Sequence, residues 1–325
     1  MKPPVPDRDV RLLSDLEPTV ASALDAHLEA ADDWYPHQYV PFGQGRNFEG
    51  VYAGEPWHDG QRQLAPAVQA GLIHNLLSED NLPSYHRVIA DLFSRDGAWG
   101  TWVNRWTVEE GRHGMALRDY LIVTRATDPV ALEDARSAHV QSGYDIDYRD
   151  DVLASLIYVT LQELATRVSY RNMRVMCGEP GCEALLRRIS QDENRHMIFY
   201  RTVLDAASHI VPDRFLAALA HVIETFRVPG HSAPGYARMA RVMAGAGIYS
   251  PTVHHQEVLR PLLRRLRVFD RTGLNTEGEQ ALERLSGLMR DSARRAHRFA
   301  HREAAEPGAA RDRRMGVVPA SGPRV

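Results

Sequence analysis

The sequence has 325 residues, of which 44% are hydrophobic and 25% charged, so it can bury a sizeable core and form one large domain. Its formal net charge of -3 at pH 7 excludes the basic field that would attract nucleic acid or an anionic membrane. No apolar run reaches the roughly 18 residues of a membrane span, and the N-terminus lacks the apolar stretch of a signal peptide, so we expect a cytoplasmic protein.

Helical periodicity dominates the chain and predicts an all-α fold. Residues 1–16 look irregular, a helix is predicted over 17–32, and a loop rich in Pro, Gly and aromatic residues continues to residue 60. A helical pattern over 65–95 is interrupted near Pro83, because proline disrupts a helix interior. The remaining predicted helices cover 99–124, 130–142, 150–177, 181–209, 213–228, 235–246, 251–269 and 276–304.

Long central helices favour a single bundle, and no linker divides it. We therefore predict an N-terminal segment, 1–60, that is irregular apart from its one helix. A helical domain follows over 61–304. The tail, 305–325, is rich in Pro, Gly and Arg and is predicted to be disordered.

Two predicted helices carry the same Glu-x-x-His motif, Glu110 with His113 and Glu193 with His196. A three-residue step places both side chains on one helix face about one turn apart. The carboxylate and the imidazole of each motif can therefore bind one metal ion. A single motif of this kind is weak evidence, but two copies indicate a metal site.

A helical glutamate precedes each motif by about 30 residues, which is one helical hairpin. These residues are Glu79 and Glu163. Two single glutamates plus two Glu-x-x-His motifs are the ligand inventory of ferritin-like di-iron proteins. The sequence thus predicts a ferritin-like di-iron four-helix bundle core with additional peripheral helices.

Charge balance supports a metal rather than solvated surface glutamates. The residues around Glu163 are apolar nearly all round, and an ionised carboxylate buried there is costly without a partner. Two Fe²⁺ ions would balance four glutamates. Carboxylate-rich sites with one imidazole per metal suit iron, and manganese is not excluded by the ligand types.

Four segments resemble the soluble acyl-carrier-protein desaturases of plants and actinobacteria: 77–85 (LSEDNLPSY), 106–114 (WTVEEGRHG), 162–166 (QELAT) and 192–196 (DENRH). The resemblance extends over roughly residues 30–290. It implies that one iron is bound by Glu79, Glu110 and His113, and the other by Glu163, Glu193 and His196. Glu110 and Glu193 would bridge the two ions.

The resemblance also implies the other participants in the reaction. A ferredoxin-type protein would donate electrons, O₂ would be the oxidant, and a double bond would form in a fatty acyl chain on acyl carrier protein; the enzyme would be a homodimer. The implied roles are an oxygen-site threonine, Thr166, an electron route through Trp34, Asp192 and His113, and walls of the acyl pocket at Leu92, Trp106 and Leu156. A basic rim for the acidic carrier is predicted at Arg260, Arg264, Arg265, Arg267 and Arg271.

Leu164 and Asp91 depart from the family pattern, which leaves acyl-chain length and double-bond position open.

The sequence also has three alternative interpretations. Another oxidase on the same bundle, such as a hydroxylase or an N-oxygenase, is the first alternative. A ribonucleotide reductase radical subunit is disfavoured, because those proteins usually have Asp as the first ligand, where this sequence has Glu79. It would also need a tyrosine beside the metals, for which Tyr158 and Tyr200 are candidates. The third is a non-catalytic protein that binds iron or acyl chains.

Overall fold

A computed structural model describes residues 6–144, 148 and 150–305. The predicted disordered tail lies outside the described residues, apart from residue 305. Within the described ranges no β-strand forms, and Phe48 and Glu55 form an isolated bridge. The helices are α1 (Asp7–Ala30), α2 (Pro66–Asp80), α3 (Leu82–Phe93), α4 (Gly97–Val123), α5 (Pro129–Ser142), α6 (Val152–Met176), α7 (Pro180–Ile210), α8 (Pro212–Thr225), α9 (Tyr236–Gly245), α10 (Pro251–Val253), α11 (Arg260–Arg265) and α12 (Thr276–Ala305).

The first helix begins earlier than the sequence pattern predicted. We expected irregular chain up to residue 16, but α1 starts at Asp7, so that prediction is wrong. Leu12 and Leu16 lie on its buried face, and the buried carboxylate of Asp9 pairs with Arg214. Its first ten residues are therefore held by packing on the bundle, whereas Pro18 inside the helix obscures the local helical signal.

Four helices surround the centre of the molecule, namely α2, α4, α6 and α7. The helices α4, α6 and α7 each contribute residues to two separate apolar clusters that lie towards opposite ends of the bundle, and α2 contributes to one of these clusters. On α4, for example, Trp99 to Trp106 belong to one cluster and Ala116 to Leu121 to the other. A layer of buried polar side chains separates the two clusters on this helix.

The interruption predicted near Pro83 is confirmed, since α2 and α3 meet at Asn81. The predicted helix over 251–269 is less regular than expected. A wide π-helical turn, His254–Leu259, joins α10 to α11. Pro261 follows this turn, and proline has no N–H to continue regular α-helical hydrogen bonding, which accounts for the local widening.

No helix in the described ranges combines the length and the apolar character needed to cross a membrane.

Candidate metal centre

The structure brings all six predicted ligands together in the polar layer. Every one of these side chains is buried, with at most 8% of its surface exposed. Gly114 lets α4 approach α2 closely, because a Cβ at this position would lie 3.3 Å from the Cβ of Glu79. The ligands come from the last turn of α2 (Glu79), the middle of α4 (Glu110, His113), α6 (Glu163) and α7 (Glu193, His196).

The ligands form two overlapping sets. Atoms of Glu79, Glu110, His113 and Glu193 lie within 4.8 Å of one another, and so do atoms of Glu110, Glu163, Glu193 and His196. Glu110 and Glu193 belong to both sets. This arrangement has room for two adjacent cations that share two carboxylates.

Several atoms that face the centre have no hydrogen-bond partner. They include Nδ1 of both histidines and one oxygen each of Glu110, Glu163 and Glu193. Nδ1 of His196 lies 2.8 Å from Oε1 of Glu110, but outside hydrogen-bond geometry. Buried polar atoms are nearly always satisfied, so this concentration of unpaired lone pairs fits a metal-binding site.

The pKa values of the buried glutamates also fit a cation-binding site. Burial, and repulsion by Glu110, raise the pKa values of Glu79 and Glu163 well above the ordinary value. Burial also acts to raise the pKa of Glu110, but its interactions with His113 and His196 outweigh burial and lower it. Without further cations, the four carboxylates cannot all be ionised at low cost in this dry core.

Behind His113, a hydrogen-bonded array extends away from the ligands. Nε2 of His113 lies 3.4 Å from Oδ2 of Asp192, which also accepts a 2.6 Å hydrogen bond from the indole N–H of Trp34. Arg188 and Arg195 donate to the other oxygen of Asp192 at 2.8 and 2.9 Å. Burial acts to raise the pKa of Asp192, but its interactions with His113 and Trp34 lower it to about 2.

A similar array lies behind His196 and was missed by the sequence analysis. Nε2 of His196 donates to Glu109 at 2.8 Å, and Nε2 of His27 lies 3.0 Å from the same oxygen. Arg105 donates to the other oxygen of Glu109 at 2.6 Å. The signal was available, since an acidic residue stands directly before the ligand glutamate in both motifs, Glu109 in one and Asp192 in the other.

Three further donors contact the ligand glutamates. Tyr170 donates to Glu79 at 2.7 Å, and the indole of Trp106 donates to Glu163 at 3.1 Å. Thr166 donates to Glu193 at 2.9 Å, so its hydroxyl lies beside the centre. Tyr170 was not predicted, and Trp106 was predicted for a different reason, as an acyl-pocket wall.

A cavity of about 550 Å³ opens at one side of the centre and has Glu79 and Thr166 in its wall. The α2 side of the wall is polar and includes His74, Asn75 and Ser78, while apolar residues come mainly from α8 and α9 and the segment between them. None of the predicted pocket walls lines this cavity. Those residues, Leu92, Trp106 and Leu156, are buried in the apolar core.

The remaining sequence candidates have the following surroundings. Tyr158 donates to the backbone oxygen of Arg227 at 3.2 Å, away from the ligands, and the buried hydroxyl of Tyr200 has no partner. In the predicted basic rim, Arg271 is not a free surface cation, because it donates to the backbone oxygens of Ser208 and Leu266. The exposed members of the rim are Arg260, Arg264, Arg265 and Arg267.

Comparison with known proteins agrees with this geometry. Residues 8–315 match the family model described as fatty acid desaturase. An acyl-[acyl-carrier-protein] desaturase of Mycobacterium tuberculosis, named DesA1, is 42% identical over 87% of this chain and 86% of its own length. The seed-specific chloroplastic stearoyl-[acyl-carrier-protein] 9-desaturase of Brassica napus is 27% identical over 87% of this chain and 75% of its own.

A solved structure shows the same architecture. The X-ray structure of the acyl-ACP desaturase DesA2 from Mycobacterium tuberculosis H37Rv superposes with a TM-score of 0.65 at 30% sequence identity. The match covers 79% of this chain and 99% of that one. The predicted all-α, ferritin-like helical bundle is thereby confirmed, and the chain belongs to the fatty acid desaturase family.

Proposed function

We propose that this protein is an O₂-dependent di-iron desaturase that introduces a double bond into a fatty acyl chain carried on acyl carrier protein. One observation carries the proposal: two ligand sets that share Glu110 and Glu193 lie beside a cavity of about 550 Å³. The cavity brings a substrate-sized space to the ligand Glu79. The family membership and the names of the relatives support the acyl carrier and the reaction.

Two iron ions, when bound, would supply the redox chemistry that activates O₂ for removal of two hydrogens from adjacent carbons. Four carboxylates and two imidazoles fit Fe²⁺, and Mn²⁺ has similar ligand preferences. Glu79 and His113 would hold one ion, Glu163 and His196 the other, and Glu110 and Glu193 both. The centre would then have no net charge, which fits its position between two apolar clusters.

The chain's own groups prepare this site. Burial of the ligands excludes water from the reacting centre, and the cavity would orient the acyl chain beside Glu79. The Thr166 hydroxyl both borders the cavity and donates to Glu193, so it is a protic group that could hold a proton there. Leu92 and Leu156 remain candidates for a deeper part of the acyl channel.

An electron route is proposed through Trp34, Asp192 and His113. It is supported by the continuous contact from Trp34 through Asp192 to His113 and by the stacked rings of Trp34 and His113, whose centroids are 6.3 Å apart. Arg188 and Arg195 link Asp192 to the exposed residue Asp32. This end of the array is therefore close to the surface, where a ferredoxin-type donor would bind.

The acidic carrier protein would bind near the cavity mouth, and the exposed Arg227 and Arg295 in the cavity wall are suited to its acidic groups or its phosphate. The exposed arginines on and next to α11, such as Arg260 and Arg264, form a second basic surface for the carrier. The homodimer predicted from the family resemblance is part of the same proposal.

The experiment is anaerobic loading of the purified chain with Fe²⁺, followed by reaction with O₂, a reduced ferredoxin and acyl carrier proteins bearing chains of different lengths. We expect about two iron ions per chain and a monounsaturated acyl product identified by mass spectrometry. A hydroxylated product would indicate a hydroxylase instead. Iron binding without O₂-dependent product would indicate a non-catalytic protein, and no iron binding would overturn the proposal.

A further inference from the structure

The carboxylate of Glu109 lies directly behind His196 but belongs to neither ligand set. We propose that Glu109, itself held by His27 and Arg105, is a positioning residue that orients His196 for metal binding and strengthens it as a ligand. This inference rests on the proposed metal centre, not on the identity of the acyl substrate.

Both carboxylate oxygens of Glu109 have hydrogen-bond partners. Oε2 accepts from His196 at 2.8 Å and lies 3.0 Å from Nε2 of His27, while Oε1 accepts from Arg105 at 2.6 Å. Only 4% of Glu109 is exposed, and a buried carboxylate needs such partners to remain ionised.

The bond to Glu109 decides which nitrogen of His196 can bind metal. A neutral imidazole carries one N–H, and donation from Nε2 to Glu109 leaves the lone pair on Nδ1. Nδ1 is the atom that faces Glu110 at 2.8 Å and Glu163 at 3.5 Å. An anionic acceptor also makes the imidazole more basic, which strengthens its bond to a cation.

His27 has a supporting position. Its ring stacks on His196 with centroids 5.9 Å apart and meets the edge of Trp102 at 5.0 Å. Its Nδ1 is buried and has no partner, so the contact to Glu109 is the polar interaction that orients the ring. α1 thus contributes to the centre although it supplies no ligand.

His27, Glu109 and His196 are close enough to hold a metal ion of their own, but the distances favour hydrogen bonds. The 2.8 and 3.0 Å contacts to Glu109 have hydrogen-bond geometry, whereas the 2.8 Å approach of His196 Nδ1 to Glu110 does not. Arg105 already supplies positive charge to the carboxylate. The group therefore supports the neighbouring metal position.

The two motifs support each other crosswise. Glu109 stands in the α4 motif and contacts the histidine of α7, whereas Asp192 stands in the α7 motif and contacts the histidine of α4. A displacement of α4 or α7 would therefore disturb both His113 and His196. This arrangement couples metal binding to the relative placement of α4 and α7.

The test is an anaerobic titration of the metal-free chain with Fe²⁺, followed by iron-57 Mössbauer spectroscopy, on wild type and on the near-isosteric Glu109→Gln variant. We expect wild type to bind two ions. In Glu109→Gln the affinity for one of them falls about 10- to 100-fold, the usual cost of losing a partner of a metal-bound histidine. Glu109→Asp, which keeps the charge, is expected to restore part of the affinity.

Three comparisons complete the experiment. Glu279→Gln, at an exposed position of α12, is the matched control and should bind iron as wild type does. His27→Gln should lower the affinity for the same ion by a smaller factor, because Glu109 is retained. This variant also tests the proposal if Glu109→Gln fails to fold. Wild-type affinities and spectra in both Glu109→Gln and His27→Gln would overturn the positioning role and leave the proposed function intact, whereas a wild type that binds no iron would overturn both.

Discussion

The two halves of the metal centre have the same ligands but different surroundings. In one half, His113 contacts Asp192 at 3.4 Å, and Asp192 continues to Trp34 and to arginines that reach the exposed Asp32. In the other half, His196 contacts Glu109 at 2.8 Å, and Glu109 continues to the buried His27 and, through Arg105, to the exposed Asp33. Both arrays therefore reach the surface through arginine. They differ in the second group bonded to the carboxylate, which is the indole of Trp34 in the first array (the Trp34 array) and the imidazole of His27 in the second (the His27 array).

The two halves of the metal centre also differ in their access to the cavity. The cavity borders Glu79, the terminal glutamate of the His113 half, but not Glu163, the terminal glutamate of the His196 half. A duplicated helical hairpin can therefore supply two equivalent metal positions while the helices packed around it make them unequal. The His113 half is the one that borders the cavity and contacts the Trp34 array.

The largest effect is expected where the two halves are joined. Glu110→Gln removes a carboxylate that both ligand sets share, so both ions should be lost. Without the metal ions the transition state loses several kcal/mol of stabilisation, so turnover should fall about 1,000-fold or more. Metal analysis should find far less than one ion per chain, while Glu163→Gln should retain one. Two ions bound to Glu110→Gln would show that Glu110 is not shared.

The cavity side should make the molecule sensitive to acid. Burial, and then repulsion by His139, lower the pKa of His74 to about 4 from 6.5, so below pH 6.5 the unfolded chain takes up a proton that the folded chain refuses. Stability therefore falls as the pH falls from 6.5 to 4, by on the order of 3 kcal/mol for this residue.

Denaturant unfolding of wild type and His74→Leu at several pH values measures this effect. The variant should lose less stability than wild type between pH 6.5 and 4, and the difference between the two should be constant above pH 7.5, where the histidine is neutral in both states. Parallel stability curves over the whole range would show that His74 does not contribute.

The ligands and most helices could be predicted because each depends on local sequence. The repeated Glu-x-x-His spacing needs only a regular helix to place Glu110 beside His113 and Glu193 beside His196. The long helices α4, α6 and α7 follow the predicted ranges closely because their apolar periodicity is strong. Desaturase family membership, inferred from four short segments, is confirmed by the family match.

What the sequence did not reveal depends on tertiary packing. His27 belongs to a helix whose contact with Glu109 exists only because α1 packs across α4 and α7. Trp106 is apolar in composition, yet the direction of its indole N–H towards Glu163 is set by its rotamer in the folded core. The cavity wall likewise combines residues of α2, α8 and α9, so the pattern of one segment alone cannot predict it.

The difference between the Trp34 array and the His27 array can be tested with Trp34→Phe. Phenylalanine cannot donate to Asp192, so we expect ferredoxin-dependent turnover to fall about tenfold, in proportion to roughly 1.4 kcal/mol of barrier. Iron content should stay at the wild-type level, in contrast to the loss expected for Glu109→Gln in the His27 array. Stopped-flow reduction measures the step directly.

Trp57→Phe is the matched control for this prediction, since it also removes an indole donor, here one that bonds to the backbone oxygen of Arg125. It should leave the reduction rate unchanged. Reduction of Trp34→Phe at the wild-type rate would contradict the electron route, and a loss of iron in the same variant would assign Trp34 a role in metal binding instead.

The smallest expected difference lies between the donors to the two terminal glutamates. Tyr170→Phe removes the 2.7 Å bond to Glu79, and Trp106→Phe removes the longer 3.1 Å bond to Glu163. Each substitution should cost about 1 kcal/mol and so lower the binding affinity for one ion roughly fivefold. The shorter bond predicts the larger effect for Tyr170→Phe. Because Glu79 also borders the cavity, Tyr170→Phe alone should change the KM for acyl carrier protein substrates. Equal changes of KM in both variants would mean that the cavity does not favour the His113 half.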